Sequence, residues 1–158
     1  MASKKTNGKK GFSLLELVVV VVIIGIIAAV AIPRMSRGSA GAADAALSGN
    51  LAVLRSAIDL YAAEHTGAFP TVALAPTALT QYTDSAGAVS ATRTTTCIYG
   101  PYLRKVPPLP VGAKKGKTGI AAATGDDVGW IYSATTGDIA ANTTATEKDA
   151  SDKLYSAY

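Results

Sequence analysis

Gly11-Phe12-Ser13-Leu14-Leu15-Glu16 opens an apolar run, Leu17-Val18-Val19-Val20-Val21-Val22-Ile23-Ile24-Gly25-Ile26-Ile27-Ala28-Ala29-Val30-Ala31-Ile32, which Pro33 closes. Ahead of it lies a hydrophilic leader, Met1 to Gly11, with Lys4, Lys5, Lys9 and Lys10. Phe12 to Ile32 is about the 20 residues that a bilayer-spanning helix needs. A short Val- and Ile-rich run reads as a buried strand. At this length, flanked by lysines, it reads as a membrane helix whose backbone hydrogen bonds are internal. Glu16 is the exception inside it. A carboxylate at membrane depth costs on the order of 3 kcal/mol and is retained where a partner or a function requires it.

Two ordinary readings of this segment fall short. A secretory signal peptide would use the basic leader and Ala29-Val30-Ala31 as a small-x-small cleavage site. Its apolar core, however, is normally shorter and carries no acid. A plain membrane anchor explains the length, and the leader lysines would hold the N-terminus in the cytoplasm. It leaves Glu16 without a role.

Gly11, Phe12 and Glu16 match a third pattern in identity and spacing. The segment resembles the class III signal of type IV prepilins and type II secretion pseudopilins: a short basic leader ending in Gly, then Phe, then an apolar helix with Glu as its fifth residue. Gly25 and Pro33 also fall where that family commonly has a Gly and a Pro. The resemblance implies cleavage between Gly11 and Phe12 by a membrane prepilin peptidase, followed by N-methylation of Phe12. It also implies a partner for Glu16, the positive α-amine of a neighbouring subunit's Phe12 during filament assembly. Opposite charges attract strongly at low dielectric, and either alone is penalised. Such a pair would select one axial register of subunits, as a buried polar residue does in a coiled coil.

Beyond Pro33 the helix is expected to continue. Arg34 and Arg37 mark the exit from the membrane, and Leu47, Leu51, Leu54, Ile58 and Tyr61 recur at steps of 4, 3, 4 and 3 on one face. Asp44, Arg55, Asp59 and Glu64 read as solvated-face charges. Gly67 suits the left-handed C′ position after the helix, and His65 a contact with its C-terminal dipole. A kink or melted stretch is expected near Gly25 and Pro33, where the helix is weakened and one backbone donor is missing. Ser13 to His65 would span roughly 80 Å as one helix. The divisions are therefore 1–11 as cleaved leader, 12–33 as membrane and assembly helix, 34–67 as its amphipathic continuation and 68–158 as a small head. The expected fold is α+β: a long N-terminal helix packed on a small antiparallel sheet, a pilin-like lollipop.

Within the head, a short helix is expected around Thr77 to Tyr82, and Gly87 to Thr96 reads as a polar loop. Gly100 to Pro107 reads as a short strand approaching a turn through Pro107, Pro108 and Pro110. Gly129 to Ser133 is the clearest strand, and Thr136-Gly137-Asp138 turns into Ile139-Ala140-Ala141. Thr143 to Tyr158 reads as a mobile tail or a terminal helix. Leu54 to Tyr61, Phe69-Pro70 and Gly100 to Pro107 resemble the major pseudopilin of type II secretion. The Asp-Pro-Trp-Gly box usual there is replaced by Pro108-Leu109-Pro110-Val111-Gly112. Asp126 and Asp127, before Val128-Gly129-Trp130, faintly resemble that group's acidic calcium loop, but two carboxylates do not supply the six to eight oxygens calcium prefers. No cofactor and no metal ligand are therefore assigned; calcium in the head is the one candidate.

Composition narrows the function further. The formal net charge is +4, with 15 Lys and Arg against 11 Asp and Glu. Removing the four leader lysines leaves 11 of each. The body is neutral, and no basic stripe supports nucleic-acid binding. One cysteine, Cys97, permits no internal disulfide. No nucleophile–His–acid set, metal cluster or phosphate loop points to an enzyme. The expected role is structural: a filament subunit, in the first reading a type II secretion pseudopilin and in the second an extracellular type IV pilin for adhesion, motility or DNA uptake. The implied partners are further copies of the chain, minor pilin-like subunits, the prepilin peptidase and methyltransferase, an inner-membrane assembly platform and the membrane itself. The implied location is the bacterial inner membrane, single-pass, with the N-terminus cytoplasmic and the head periplasmic.

Overall fold

A computed structural model describes residues 11–158, with the side chains of residues 32–37 excepted. The leader lysines and the expected membrane-exit side chains of Arg34 and Arg37 lie outside the described part. The chain divides into two compact units, one ending at Gly38 and the other comprising Ser39–Tyr158. The architecture is α+β, a long helix together with a small β-sheet head.

Helix α1 is assigned over Leu14–Glu64, 51 residues. Helical backbone is continuous through Gly25 and Pro33, so the melted stretch expected there is absent. In the first unit the residues from Leu14 to Ala31 have a mean hydropathy of 3.1 and none is buried. In the second unit the expected periodic face is the core face: Leu47, Leu51, Leu54, Ile58 and Tyr61 are buried. The helix ends in a left-handed turn of two residues. Thr66 (φ 57°) occupies C′ and Gly67 (φ 85°) follows. The Gly67 N–H closes the turn on the Ala62 carbonyl at 2.7 Å, a Schellman geometry. The C′ position assigned to Gly67 thus belongs to Thr66.

Helix α2, Ala75–Thr80, lies two residues earlier than expected, with Pro76 in its first turn. Tyr82 falls instead in strand β1, Tyr82–Thr83, which pairs antiparallel with β2, Val89–Ser90. The expected loop over 87–96 therefore contains a strand. Asp84 holds the hairpin between them, its carboxylate accepting from the N–H groups of Ala86 (2.9 Å) and Ala88 (2.8 Å).

Strands β3 (Gly119–Ala121), β4 (Val128–Tyr132) and β5 (Ile139–Ala141) form the second sheet in that order. The pair β4–β5 is antiparallel, as expected, but β3 joins β4 parallel. Parallel neighbours ordinarily need a long crossover. Here β3 has only three residues, so the six residues 122–127 suffice to bring the chain back to its start. Gly119 N–H to Asp127 O at 3.0 Å fastens the return. The alternation of β4 puts Trp130 and Tyr132 on the core side, with Ile120, Ile139 and Ala141 beside them. Trp130 is fully buried and its Nε1–H donates to Pro107 O at 2.8 Å; Tyr132 OH donates to Pro70 O at 3.0 Å.

Gly100 to Pro107 is not a strand. Pro101, Pro107, Pro108 and Pro110 have no N–H to give a ladder. The segment is instead held from outside: Tyr102 and Leu103 N–H donate to Leu79 O, and Asn50 Nδ2 donates to Pro108 O. The tail, too, makes contacts with the rest of the head. Tyr155–Ala157 form a 3₁₀ turn, and Lys148 bridges Leu154. Tyr155 OH donates to Asp44 Oδ1 at 2.8 Å, Ala150 N–H to Asp44 Oδ2 at 3.1 Å, and Arg55 donates to Tyr158 O at 2.6 Å. Asp44 and Arg55, read as solvated charges, are the anchors of this tail. Glu64 likewise accepts a 2.5 Å hydrogen bond from Tyr102 OH, whereas Asp59 is exposed.

Candidate assembly site

The residues that carry the N-terminal motif stand at the start of α1. Gly11, Phe12 and Ser13 precede the helix, and Ser13 O accepts from Leu17 N–H at 3.1 Å. Glu16 therefore lies in the first turn, where unsatisfied N–H groups and the helix dipole favour a negative charge. Its carboxylate makes no hydrogen bond or ion pair with another described residue. Phe12 is 81% exposed, and Leu14, Leu15 and the valines and isoleucines from Val18 to Val30 are exposed on every side of the helix. Leu14–Ala31 spans about 27 Å at 1.5 Å per residue, close to the thickness of a bilayer core. A helix apolar on all sides needs an apolar surrounding, lipid or other helices. One N-terminal helix of this kind fits a single-pass membrane anchor.

Asp126 and Asp127 are exposed and each is engaged by a lysine, Lys114 at 3.5 Å and Lys117 at 2.6 Å. The Lys117 ammonium, as hydrogen-bond donor and as charge, holds the Asp127 carboxyl below its usual range, and Asp127 in turn raises Lys117. Among the described residues no group of three or more His, Cys, Asp or Glu side chains converges to hold a metal. The pair does not fit a calcium centre, and no step is assigned to one.

Sequence reasoning missed one cluster in the head. His65 is buried, stacked on Tyr61 with ring centroids 3.8 Å apart, and both its ring nitrogens face backbone oxygens, Tyr61 O and Asp84 O, each at 2.8 Å. Tyr61 O belongs to the last helical turn, so the expected dipole contact is present, but the second acceptor comes from the β1–β2 hairpin. Tyr99 and Tyr102 complete the cluster edge-on. Burial raises the Tyr61 hydroxyl above its ordinary range. Cys97 is buried, with Sγ 3.8 Å from Ala88 O, and packs as a small hydrophobe.

Residues 6–32 match the family model of the prokaryotic N-terminal methylation motif. The match covers the leader end, Gly11, Phe12, Glu16 and the apolar run, and it supports a type IV pilin-like prepilin. No curated protein and no solved structure gave a match.

Proposed function

We propose that the chain is a filament subunit of the type II secretion pseudopilus, cut between Gly11 and Phe12, methylated on Phe12 and assembled through α1. The observation that carries this reading is the methylation motif on residues 6–32, with Glu16 unpartnered among the described residues of a fully exposed apolar helix. Cleavage would remove the four leader lysines and create an α-amine four residues before Glu16. Leaving the bilayer, Glu16 would meet the α-amine of an adjacent copy, and the exposed valines and isoleucines would exchange lipid for identical helices. The pair would set register rather than add net stability, since desolvation offsets much of its attraction. The buried, unpaired Cys97 favours the pseudopilus over a surface pilus whose C-terminal loop is closed by a disulfide.

Mass spectrometry of the mature protein tests the processing step. A terminus at N-methylated Phe12 is expected; an intact Met1 or a terminus at Ile32 would overturn it. Glu16→Ala should be cut normally yet assemble poorly, and normal filament yield from that variant would remove the role given to Glu16. Secretion-channel genes beside the coding sequence would accord with the pseudopilus, and pilus-retraction genes would transfer the chain to the pilin reading.

A further inference from the structure

His65 is the sole histidine of the chain and lies buried, 3% exposed, at the end of α1. Its Nδ1 stands 2.8 Å from Tyr61 O on its own helix, and its Nε2 2.8 Å from Asp84 O in the β1–β2 hairpin. A carbonyl oxygen only accepts hydrogen bonds. A neutral imidazole has one N–H and one lone pair, so it serves one of these oxygens and turns a lone pair on the other. Only the imidazolium, with two N–H groups, satisfies both at once.

The surroundings suit a cation. The Tyr61 ring lies parallel to the imidazole, with 3.8 Å between centroids and 3° between planes, so the face of a π-system covers the charge. The titratable groups around it are Tyr61 and Glu64 on α1, Asp84 on the hairpin, and Tyr99 and Tyr102 on the segment that follows. Both carboxylates are of opposite sign to the imidazolium, and neither has an ion-pair partner among the described residues. Glu64 accepts from Tyr102 OH, and Asp84 from N–H groups of its own hairpin. The Asp84 charge adds to burial in raising the Tyr61 hydroxyl, which places it beside the stacked pair.

The hairpin is attached in two places. At its base Thr83 N–H donates to Tyr99 O at 3.0 Å, a bond that does not involve His65. Toward its tip Asp84 O faces Nε2, and Gly87 packs so closely that a Cβ there would come within 2.8 Å of Tyr61 OH. A cleft of about 190 Å³ lies between the end of α1 and this tip, with Tyr61, His65, Phe69, Ser85 and Gly87 in its lining. Both carbonyls that face the ring also accept a backbone N–H, Tyr61 O from His65 and Asp84 O from Gly87, each at 3.0 Å. Release of the ring therefore orphans neither acceptor.

We propose that His65 is a proton-operated clasp. As imidazolium it ties the β1–β2 hairpin to the end of α1; on losing its proton it frees the hairpin tip and widens the cleft beneath. The closed form holds one more proton than the open form, so rising pH favours opening. The clasp lies wholly within the Ser39–Tyr158 unit and does not depend on the filament reading.

Because there is one histidine, NMR of the full chain in detergent with isotope-labelled histidine reads this ring alone. The titration runs from about pH 5.5 to about pH 9, above the range of ordinary carboxylates. At the acid end both ring nitrogens should carry slowly exchanging hydrogens. As one is lost, hydrogen exchange at Asp84, Gly87 and Ala88 should quicken about tenfold relative to Thr83, the effect of one hydrogen bond to a charged group. The two changes should share a midpoint. His65→Gln cannot titrate, so its exchange ratio should be flat with pH. A ring that changes charge without changing the exchange ratio would overturn the clasp, as would a pH response that persists in His65→Gln. A bare ring nitrogen at the acid end would overturn the imidazolium itself. If His65→Gln does not fold, the midpoint comparison on the unaltered chain decides alone.

Discussion

Leu54 and Leu60 are the same residue type six positions apart on one helix, and truncating them should have very unequal consequences for stability. Leu54 is fully buried against the head, whereas Leu60 is 54% exposed. Leu54→Ala removes three buried carbons, about 2.4 kcal/mol at 0.8 kcal/mol per methylene. The cavity left behind adds to this, bringing the expected loss to about 3 kcal/mol. For a unit the size of Ser39–Tyr158, that lowers the unfolding midpoint by roughly 10 °C. Leu60→Ala should change stability by less than about 0.5 kcal/mol, since the site is exposed and alanine favours the helix. The assay is urea or thermal unfolding of the full chain in detergent, followed by Trp130 fluorescence. Trp130 is the sole tryptophan and is fully buried, so its emission reports the head and not the membrane helix. Equal losses of midpoint for the two variants would refute the division of α1 into a core face and an exposed face.

Gly137→Ala should destabilise the head by about 1–3 kcal/mol, because φ is +77° there and an added Cβ would meet the Phe69 ring 2.5 Å away. Chemical denaturation measures it, and a wild-type midpoint would be the contrary result. Tyr155→Phe keeps the ring and removes the hydrogen bond to Asp44, so it should cost about 1 kcal/mol and raise proteolytic cutting in residues 143–158. Unchanged cleavage would show the tail is held without it. The Glu147 carboxyl lies below its ordinary range because Thr144 N–H and Ala113 N–H donate to it. Its contribution is therefore present above an unfolded-state pKa of about 4.3 and lost as pH falls through its lower folded value. Glu147→Gln should flatten the acid side of the stability profile, and an unaltered slope would refute the assignment.

The elements written in local periodicity were legible in the sequence. The core face of α1 showed in its 4–3 steps, and β4 and β5 in short β-rich runs around the turn at Gly137. Tertiary contacts were not legible. Asp44, Arg55 and Glu64 have the spacing of solvated charges, and only the folded head reveals that Tyr155, Tyr158 and Tyr102 reach them. The parallel pairing of β3 depends on strand length and a backbone bond from Gly119 to Asp127, neither of which has a residue signature. Gly100 to Pro107 misled because its prolines were weighed as a turn after a strand. Their missing donors exclude the strand itself. The N-terminal motif, by contrast, is set by identities at fixed spacing, and its reading needed no fold.

The anchoring of the tail on Asp44 and Arg55 also has a temporal side. Their partners Tyr155 and Tyr158 stand 111 and 103 positions later in the chain. When the ribosome has made α1, the apolar face of Leu47 to Tyr61 waits for α2, the 103–111 segment, β4 and finally the tail to cover it. Contacts of such separation close slowly. The head thus gains its last contacts with α1 only once residues 150–158 have been made.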